Sequence, residues 1–376
     1  MARCINCGRT SPLISKGLGV CVDCIRDDWN NVRNHIEAVH KKVRESFKLQ
    51  GEVPKAQHGV KCNICVNECQ VPNGAKGYCG VRANTDGKLQ DIGEGFLDWY
   101  YDSLPTNCVA DWVCPGGSKS GYPKYSYSEG PEYGYKNLAV FYRACSFDCL
   151  FCQNWHFREG LGREILASEL ASKVDARTSC ICYFGGDPTP QIKHAIETSK
   201  IALEEKRILR ICWETNGSVN PVFLKEMAKL SLDSGGCIKF DLKTWNEPVN
   251  LALCGVTNKR TLDNFAYLAN FVKERTDPPF LIASTLLVPG YVDSEEVRGI
   301  AHFIASLNHN IPYSLLAFYP HFLMNDLPTT CKDHAYAALE IAREEGLNNV
   351  HIGNIHLLSN FNYMKSNNWI DFLSNA

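Results

Sequence analysis

The chain has 376 residues, 45% of them hydrophobic and 21% charged, which allows a sizeable core and excludes global disorder. Lys and Arg number 39 against 41 Asp and Glu, a formal net charge of -2, so the bulk charge does not point to nucleic-acid binding. Nineteen cysteines stand out. With no apolar run long enough to span a membrane and no secretory apolar core at the start, they favour metal or redox chemistry in a cytoplasmic chain over a disulfide framework.

In chain order, residues 1–27 are a Cys- and Gly-rich unit too small for its own core. Cys4, Cys7, Cys21 and Cys24 form two CxxC knuckles. That donor set suits a structural zinc that supplies folding energy, with a rubredoxin-like iron as the alternative. Residues 28–50 carry neither Gly nor Pro. Trp29, Val32, Ile36, Val39, Val43 and Phe47 recur there at helical spacing, which predicts an amphipathic linking helix. Residues 51–135 are rich in Gly, Pro, Tyr and Cys and weakly periodic, as in an irregular extension pinned by metal. Cys62, Cys65, Cys69 and Cys79 form a second four-thiolate set there, and Cys4 sites suit zinc and iron–sulfur clusters alike.

From residue 136 to 345 the texture changes. Apolar, β-branched or aromatic runs at 137–144, 180–186, 210–217, 237–243, 280–290 and 313–320 alternate with helical stretches. The helices are expected near 167–177, 189–207, 220–232, 259–275, 294–307 and 332–345. Six β-then-α units predict an α/β fold with a parallel sheet buried on both faces. Residues 346–376 are a C-terminal segment. Eight cysteines lie outside the grouped sets. Cys180, Cys182, Cys212, Cys237 and Cys254 read as small buried hydrophobes, and so do Cys108, Cys114 and Cys331 in loops, for which a radical relay or an extra metal ligand is the alternative.

Chemistry gathers at the C-terminal ends of the runs, the edge that carries active sites in parallel α/β folds. Cys145 follows the first. Gly185, Gly186 and Asp187 end the second, Glu214, Thr215 and Asn216 the third, and Asp241, Leu242 and Lys243 the fourth. Asp241 and Lys243 alternate around Leu242 and so share a face, where a buried charged pair is costly unless paired or used. Cys145, Cys149 and Cys152 make a C-x3-C-x2-C triplet in a polar loop. Three thiolates without a fourth suit a four-iron cluster with one open iron. A closed zinc would need a fourth ligand, for which His156 is the nearby candidate.

This triplet, with Phe151 before its third Cys, resembles the signature of the radical S-adenosylmethionine (SAM) superfamily. Gly185-Gly186-Asp187-Pro188-Thr189 is similar to that family's GGEPT-like strand, with Asp187 where Glu is more usual. Glu214-Thr215-Asn216-Gly217, Asp241-Leu242-Lys243, residues 284–290 and Gly353-Asn354 are similar to the pyruvate formate-lyase activating enzyme branch. The run from Cys62 to Cys79 ending in residues 77–82, the continuation Cys152-Gln153-Asn154-Trp155 and the phrase at 316–320 resemble the AmmeMemoRadiSam group. The resemblance spans roughly residues 60–356, and the N-terminal ribbon departs from it as an added module.

The resemblance implies a partial, open (β/α)6 TIM-type barrel behind a zinc-ribbon-like clip and a Cys-rich extension. It implies a [4Fe-4S] cluster on Cys145, Cys149 and Cys152 whose open iron chelates SAM. One electron then cleaves SAM to methionine and a 5′-deoxyadenosyl radical that abstracts hydrogen from a substrate. The SAM pocket it implies comprises Phe151, Asn154, Gly185, Gly186, Asp187, Thr189, Glu214, Asn216, Asp241, Lys243 and Asn354, with Asp241 and Lys243 beside the reaction. An electron donor such as ferredoxin or flavodoxin and an anaerobic cytoplasm belong to the same expectation. Three downstream roles compete: an activase that places a glycyl radical on a partner enzyme, a modifier of a small molecule, peptide or RNA, and a non-catalytic metal-binding adaptor.

Overall fold

The near-continuous apolar runs become strands covered on both faces, as parallel sheets require. The computed structural model describes residues 1–205 and 207–364. Its main sheet holds eight strands in strict chain order: β1 (Leu97–Ser103), β2 (Lys136–Tyr142), β3 (Thr178–Gly185), β4 (Arg210–Thr215), β5 (Ile238–Asp241), β6 (Leu281–Leu287), β7 (Tyr313–Ala317) and β8 (Val350–Gly353). Strands β2 to β8 are parallel, each to the next, while β1 runs antiparallel along β2. β1 and β8 stay unjoined, so the curved sheet is an open, partial barrel.

The helices are α1 (Val22–Asp27), α2 (Trp29–Ser46), α3 (Ala167–Ala171), α4 (Ile192–Ala202), α5 (Pro221–Ser234), α6 (Glu247–Cys254), α7 (Lys259–Ala269), α8 (Ser294–Leu307) and α9 (Lys332–Glu344). All six expected strands are present, as are the linking helix and the six helices expected after it. β1, β8, α1 and α6 lie outside the sequence expectation. β1 carries exposed Tyr100 and Tyr101 on an edge, and β8 is only four residues long, so neither has the long apolar run that marks a central strand. Because β1 belongs to the main sheet, the boundary expected at residue 136 falls between two paired strands.

Alternation divides each strand between two layers. Outward aromatics pack on the helices and satisfy their polar tips there. Tyr142 Oη meets His194 Nδ1 of α4 at 2.8 Å, Tyr183 Oη meets Ser199 Oγ at 2.8 Å, and Trp213 Nε1 donates to Ser231 Oγ of α5 at 3.0 Å. Inward residues face a lumen that the chain itself largely fills. Residues 104–118 enter it, with Trp112 donating to Ser314 Oγ of β7 at 3.0 Å and stacking on His351 of β8.

The N-terminal unit is docked on the barrel. Tyr291 Oη accepts from Ser15 N and donates to Val20 O, both at 3.0 Å. Arg26 of α1 forms a fork on Asp293 at 2.8 Å and reaches buried Glu296. In α2, Val32, Ile36, His40, Val43 and Arg44 turn inward. The predicted apolar stripe is therefore continued by two polar residues, whose partner is the cysteine loop described below. Among the described residues, no helix is long and apolar enough to cross a membrane.

Candidate active site

The loop after β2 brings Cys145 and Cys149 into burial and leaves Cys152 half-buried. Asp148 pins it. Its amide donates to Cys254 O at 2.8 Å, and Leu150 N donates to Leu253 O at 2.9 Å, which ties the loop to the end of α6. The Asp148 carboxylate is fully buried. It accepts from Arg158 Nε at 3.2 Å and Nη2 at 3.1 Å, meets His40 Nδ1 at 2.9 Å, and lies 3.6 Å from Arg44 Nη1. Burial pushes its pKa up, but the His40 hydrogen bond and the charges of Arg158, His40 and Arg44 outweigh that and hold it below the usual range. Asp148 was not among the expected site residues, although it lies inside the Cys triplet motif.

The three thiols themselves are raised. For Cys149 the first cause is a hydrogen bond with Cys254, and for Cys145 and Cys152 it is burial. Cys254, expected as inert filling, therefore touches this loop. His156 does not close the triplet: it is exposed, its Nδ1 on Glu159 at 3.0 Å. The triplet is absent from the sets whose ligand atoms all lie within 4.8 Å of one another, among the described residues. A mononuclear thiolate zinc, with Zn–S near 2.3 Å, needs sulfurs only about 3.8 Å apart. The triplet is not such a compact set.

The next strand ends wrap around this loop. A Cβ on Gly186 would collide with Ala144 O, and one on Gly185, at φ +99°, would meet the Phe141 backbone. These glycines permit the close approach of the end of β3 to β2 and to the cysteine loop. The Asp187 carboxylate accepts from Thr189 N at 2.8 Å, Asn216 N at 2.7 Å and Thr215 Oγ1 at 3.1 Å, so it ties β3 to β4. Thr189 Oγ1 is buried without a protein partner. Asn216 Nδ2 donates to Ser146 Oγ at 2.9 Å and lies 3.8 Å from Cys145 Sγ.

On β5, Lys243 Nζ meets Asp241 Oδ2 at 2.6 Å, and Ser284 Oγ donates to Asp241 Oδ1 at 2.8 Å. The Lys243 ammonium sits 5.9 Å over the buried Phe151 ring, which joins β5 to the cysteine loop. Burial opposes the charge on Lys243, but Asp241 and the thiols of Cys149 and Cys254 raise its pKa. Glu214 Oε1 turns down the lumen to Lys239 Nζ at 3.0 Å. Asn354 holds a left-handed φ of 55° after β8 and accepts from Asn107 at 3.2 Å. Asn154 is exposed and makes no side-chain cap bond. The structure thus brings Phe151, Asp187, Thr189, Asn216, Asp241 and Lys243 around the triplet, with Glu214 and Asn354 facing the lumen side and Asn154 at the surface.

Cys4, Cys7, Cys21 and Cys24 do converge, their sulfurs within 4.8 Å of one another and Cys7 to Cys21 at 3.8 Å. That is a tetrahedral thiolate edge. The Cys4 thiol is lowered to about 6: burial acts against this, but hydrogen bonds from the backbones of Cys7, Cys21 and Asn6 prevail. Cys62, Cys65 and Cys69 are buried and Cys79 half-buried, without such mutual approach among the described residues. Their segment docks on the triplet loop, Asn67 Nδ2 donating to Ser146 O at 2.8 Å and Val66 N to Ser218 O at 2.9 Å. A cavity of about 240 Å³ is lined by both Cys79 and Cys145.

Residues 139–304 match the Radical SAM superfamily. An uncharacterized protein of Methanocaldococcus jannaschii is 27% identical over 309 residues, 79% of this chain and 81% of that protein. The pyruvate formate-lyase 1-activating enzyme of Escherichia coli is 28% identical over 142 residues, 35% of this chain and 55% of that enzyme. The isethionate sulfite-lyase activating enzyme of Desulfovibrio desulfuricans is 32% identical over 152 residues, 38% of this chain and 45% of that enzyme. The chain thus spans about half the length of these two activating enzymes.

Proposed function

We propose, from the premise that this chain belongs to the radical SAM superfamily and is an enzyme of that class, that Cys145, Cys149 and Cys152 hold its [4Fe-4S] cluster and that the rim from β3 to β5 holds SAM. When bound, cluster and cofactor supply reductive cleavage of SAM and a 5′-deoxyadenosyl radical that takes hydrogen from a substrate. The observation that carries the reading is the open triplet: three thiols in one pinned loop, the candidate fourth ligand His156 turned to Glu159.

The chain's own residues position and shield. Asp148, His40, Arg44 and Arg158 fix the loop. Asn216 directs an amide N–H at Cys145 Sγ, where a hydrogen bond tunes a thiolate ligand. Asp241 and Lys243 place a charged pair beside Phe151, suited to the polar end of an amino-acid cofactor. An external one-electron donor of the ferredoxin or flavodoxin kind completes the scheme.

The test is anaerobic reconstitution followed by dithionite reduction with SAM. Wild type should form 5′-deoxyadenosine, and Cys149→Ala should fall at least about 100-fold. A fully loaded wild type that forms none would sink the reading.

For the substrate, the names of the relatives favour an activase acting on a partner protein. One observation favours a small molecule instead: residues 104–118 enter the lumen, with Trp112 bonded to Ser314 of β7 and stacked on His351 of β8. Deuterium carried into 5′-deoxyadenosine from a labelled glycine of a partner, or from a labelled metabolite, separates the two.

A further inference from the structure

Six of the chain's 19 cysteines line a lumenal cavity of about 120 Å³: Cys108, Cys114, Cys180, Cys182, Cys212 and Cys237. They come from three adjacent strands, or the residue leading into one, and from the segment that fills the lumen. Cys182 of β3 stands in register with Cys212 of β4. Trp213 pairs with Ile238, which sets Cys237 beside Cys212, and Trp213 N donates to Cys237 O at 3.0 Å. All three point inward, opposite to Trp213 and Ile238. The result is a row of thiols stepping one strand at a time, at about 4.8 Å per step. Cys108 closes the row from the opposite side. Lys239 Nζ lies 3.1 Å from Cys108 Sγ and 3.1 Å from Cys182 Sγ, so the two sulfurs flank one ammonium.

We propose that this lumen floor is a second, thiolate-ligated metal centre, with Cys108, Cys182, Cys212 and Cys237 as its ligands. Soft thiolates select iron–sulfur clusters, zinc or Cu(I) over hard cations. A centre held by four thiolates is net anionic, and two buried cations border the space. They are Lys239, 2% exposed and paired with Glu214, and Arg210, 2% exposed and paired with Glu132. The Lys239 ammonium, paired with Glu214, also donates to two of these sulfurs and so turns Cys108 and Cys182 toward one point.

Within this chain, Cys4, Cys7, Cys21 and Cys24 show what a preformed mononuclear set looks like, every sulfur within 4.8 Å of the others. The lumenal row is not such a compact set among the described residues, and its thiolates suit zinc and iron–sulfur centres alike. The centre is separate from the Cys145 loop and stands whether or not that loop does the chemistry proposed above.

The full chain and its Cys182→Ser/Cys212→Ser variant are to be loaded anaerobically, in one arm with ferrous iron and sulfide and in the other with zinc alone. Metal and acid-labile sulfide per chain are then measured after gel filtration. A shortfall of one cluster's iron and sulfide in the variant supports an iron–sulfur centre, and a shortfall of zinc supports a zinc centre. Equal loading of variant and wild type in both arms overturns the proposal.

Should the variant fail to fold, wild type alone decides. Half-buried Cys108 should react with iodoacetamide in metal-free protein and at least about ten-fold more slowly after loading. Equal rates in both states overturn the proposal as well. Neither readout depends on 5′-deoxyadenosine formation.

Discussion

At the scale of single residues, Asp148 organises the candidate site without belonging to its metal ligands. Its carboxylate neutralises a buried cluster of His40, Arg44 and Arg158 drawn from α2 and from the turn after the triplet. Asp148→Asn keeps the shape and removes the charge. Breaking a buried pair from one side costs about 3–5 kcal/mol, so the urea midpoint should fall accordingly and iron retention by the Cys145 loop should fall with it. The pH sign follows from the lowered folded pKa. The stabilisation is full above the unfolded value near 4 and disappears as pH falls through the folded value. Wild type should therefore lose more stability than Asp148→Asn on acidification below about pH 4, read by denaturant titration at stepped pH. An unchanged difference across that range would refute the assignment.

At the scale of elements, what the sequence makes legible is what local pattern controls. Six strands and the spacing of the Cys triplet are set by period and by short-range ligand geometry, and both stand out in the chain. β1 and β8 do not, because an exposed edge and a four-residue strand owe their pairing to neighbours far away in sequence. The lumenal thiols were illegible for the same reason. Cys182, Cys212 and Cys237 each sit in an apolar run, and only strand register sets them side by side. The glycines at the end of β3 lie between these cases: the motif marks them, and their tight packing on β2 and on the cysteine loop shows only in the structure. Gly186→Ala puts a methyl group against Ala144 O. Something must shift, at a cost of about 1–3 kcal/mol, and the loop bearing Cys145 adjoins the collision. A lowered thermal midpoint together with reduced cluster content is expected, whereas a lowered midpoint with full cluster content would show that the loop absorbs the strain.

At the scale of the whole molecule, the N-terminal unit is a buttress. Its four converging thiols fold a segment without a core, and that segment presents Ser15, Val20 and Arg26 to the barrel at Tyr291, Asp293 and Glu296. Glu296 also accepts from the amides of Trp245 and Asn246, which follow Lys243 on the way into α6. Metal loss at the N-terminus should thus be felt near the rim. Cys7→Ser, or chelation of wild type, is expected to lower the melting temperature by several degrees, since a loss of 1 kcal/mol shifts a large domain by about 2–4 °C. Hydrogen exchange should rise at residues 291–296 as well as at 1–27. Exchange confined to residues 1–27 would show an appendage instead.

The segment that occupies the lumen, residues 104–118, precedes every parallel strand in the chain. During synthesis it leaves the ribosome directly after β1 and before the seven parallel strands β2 to β8, so it is available before the sheet closes around it. Whatever iron-delivery machinery serves the thiols on the inner wall has its widest opening while the polypeptide is still being made, and a finished copy stripped of metal should reload there more slowly than at its outer loop.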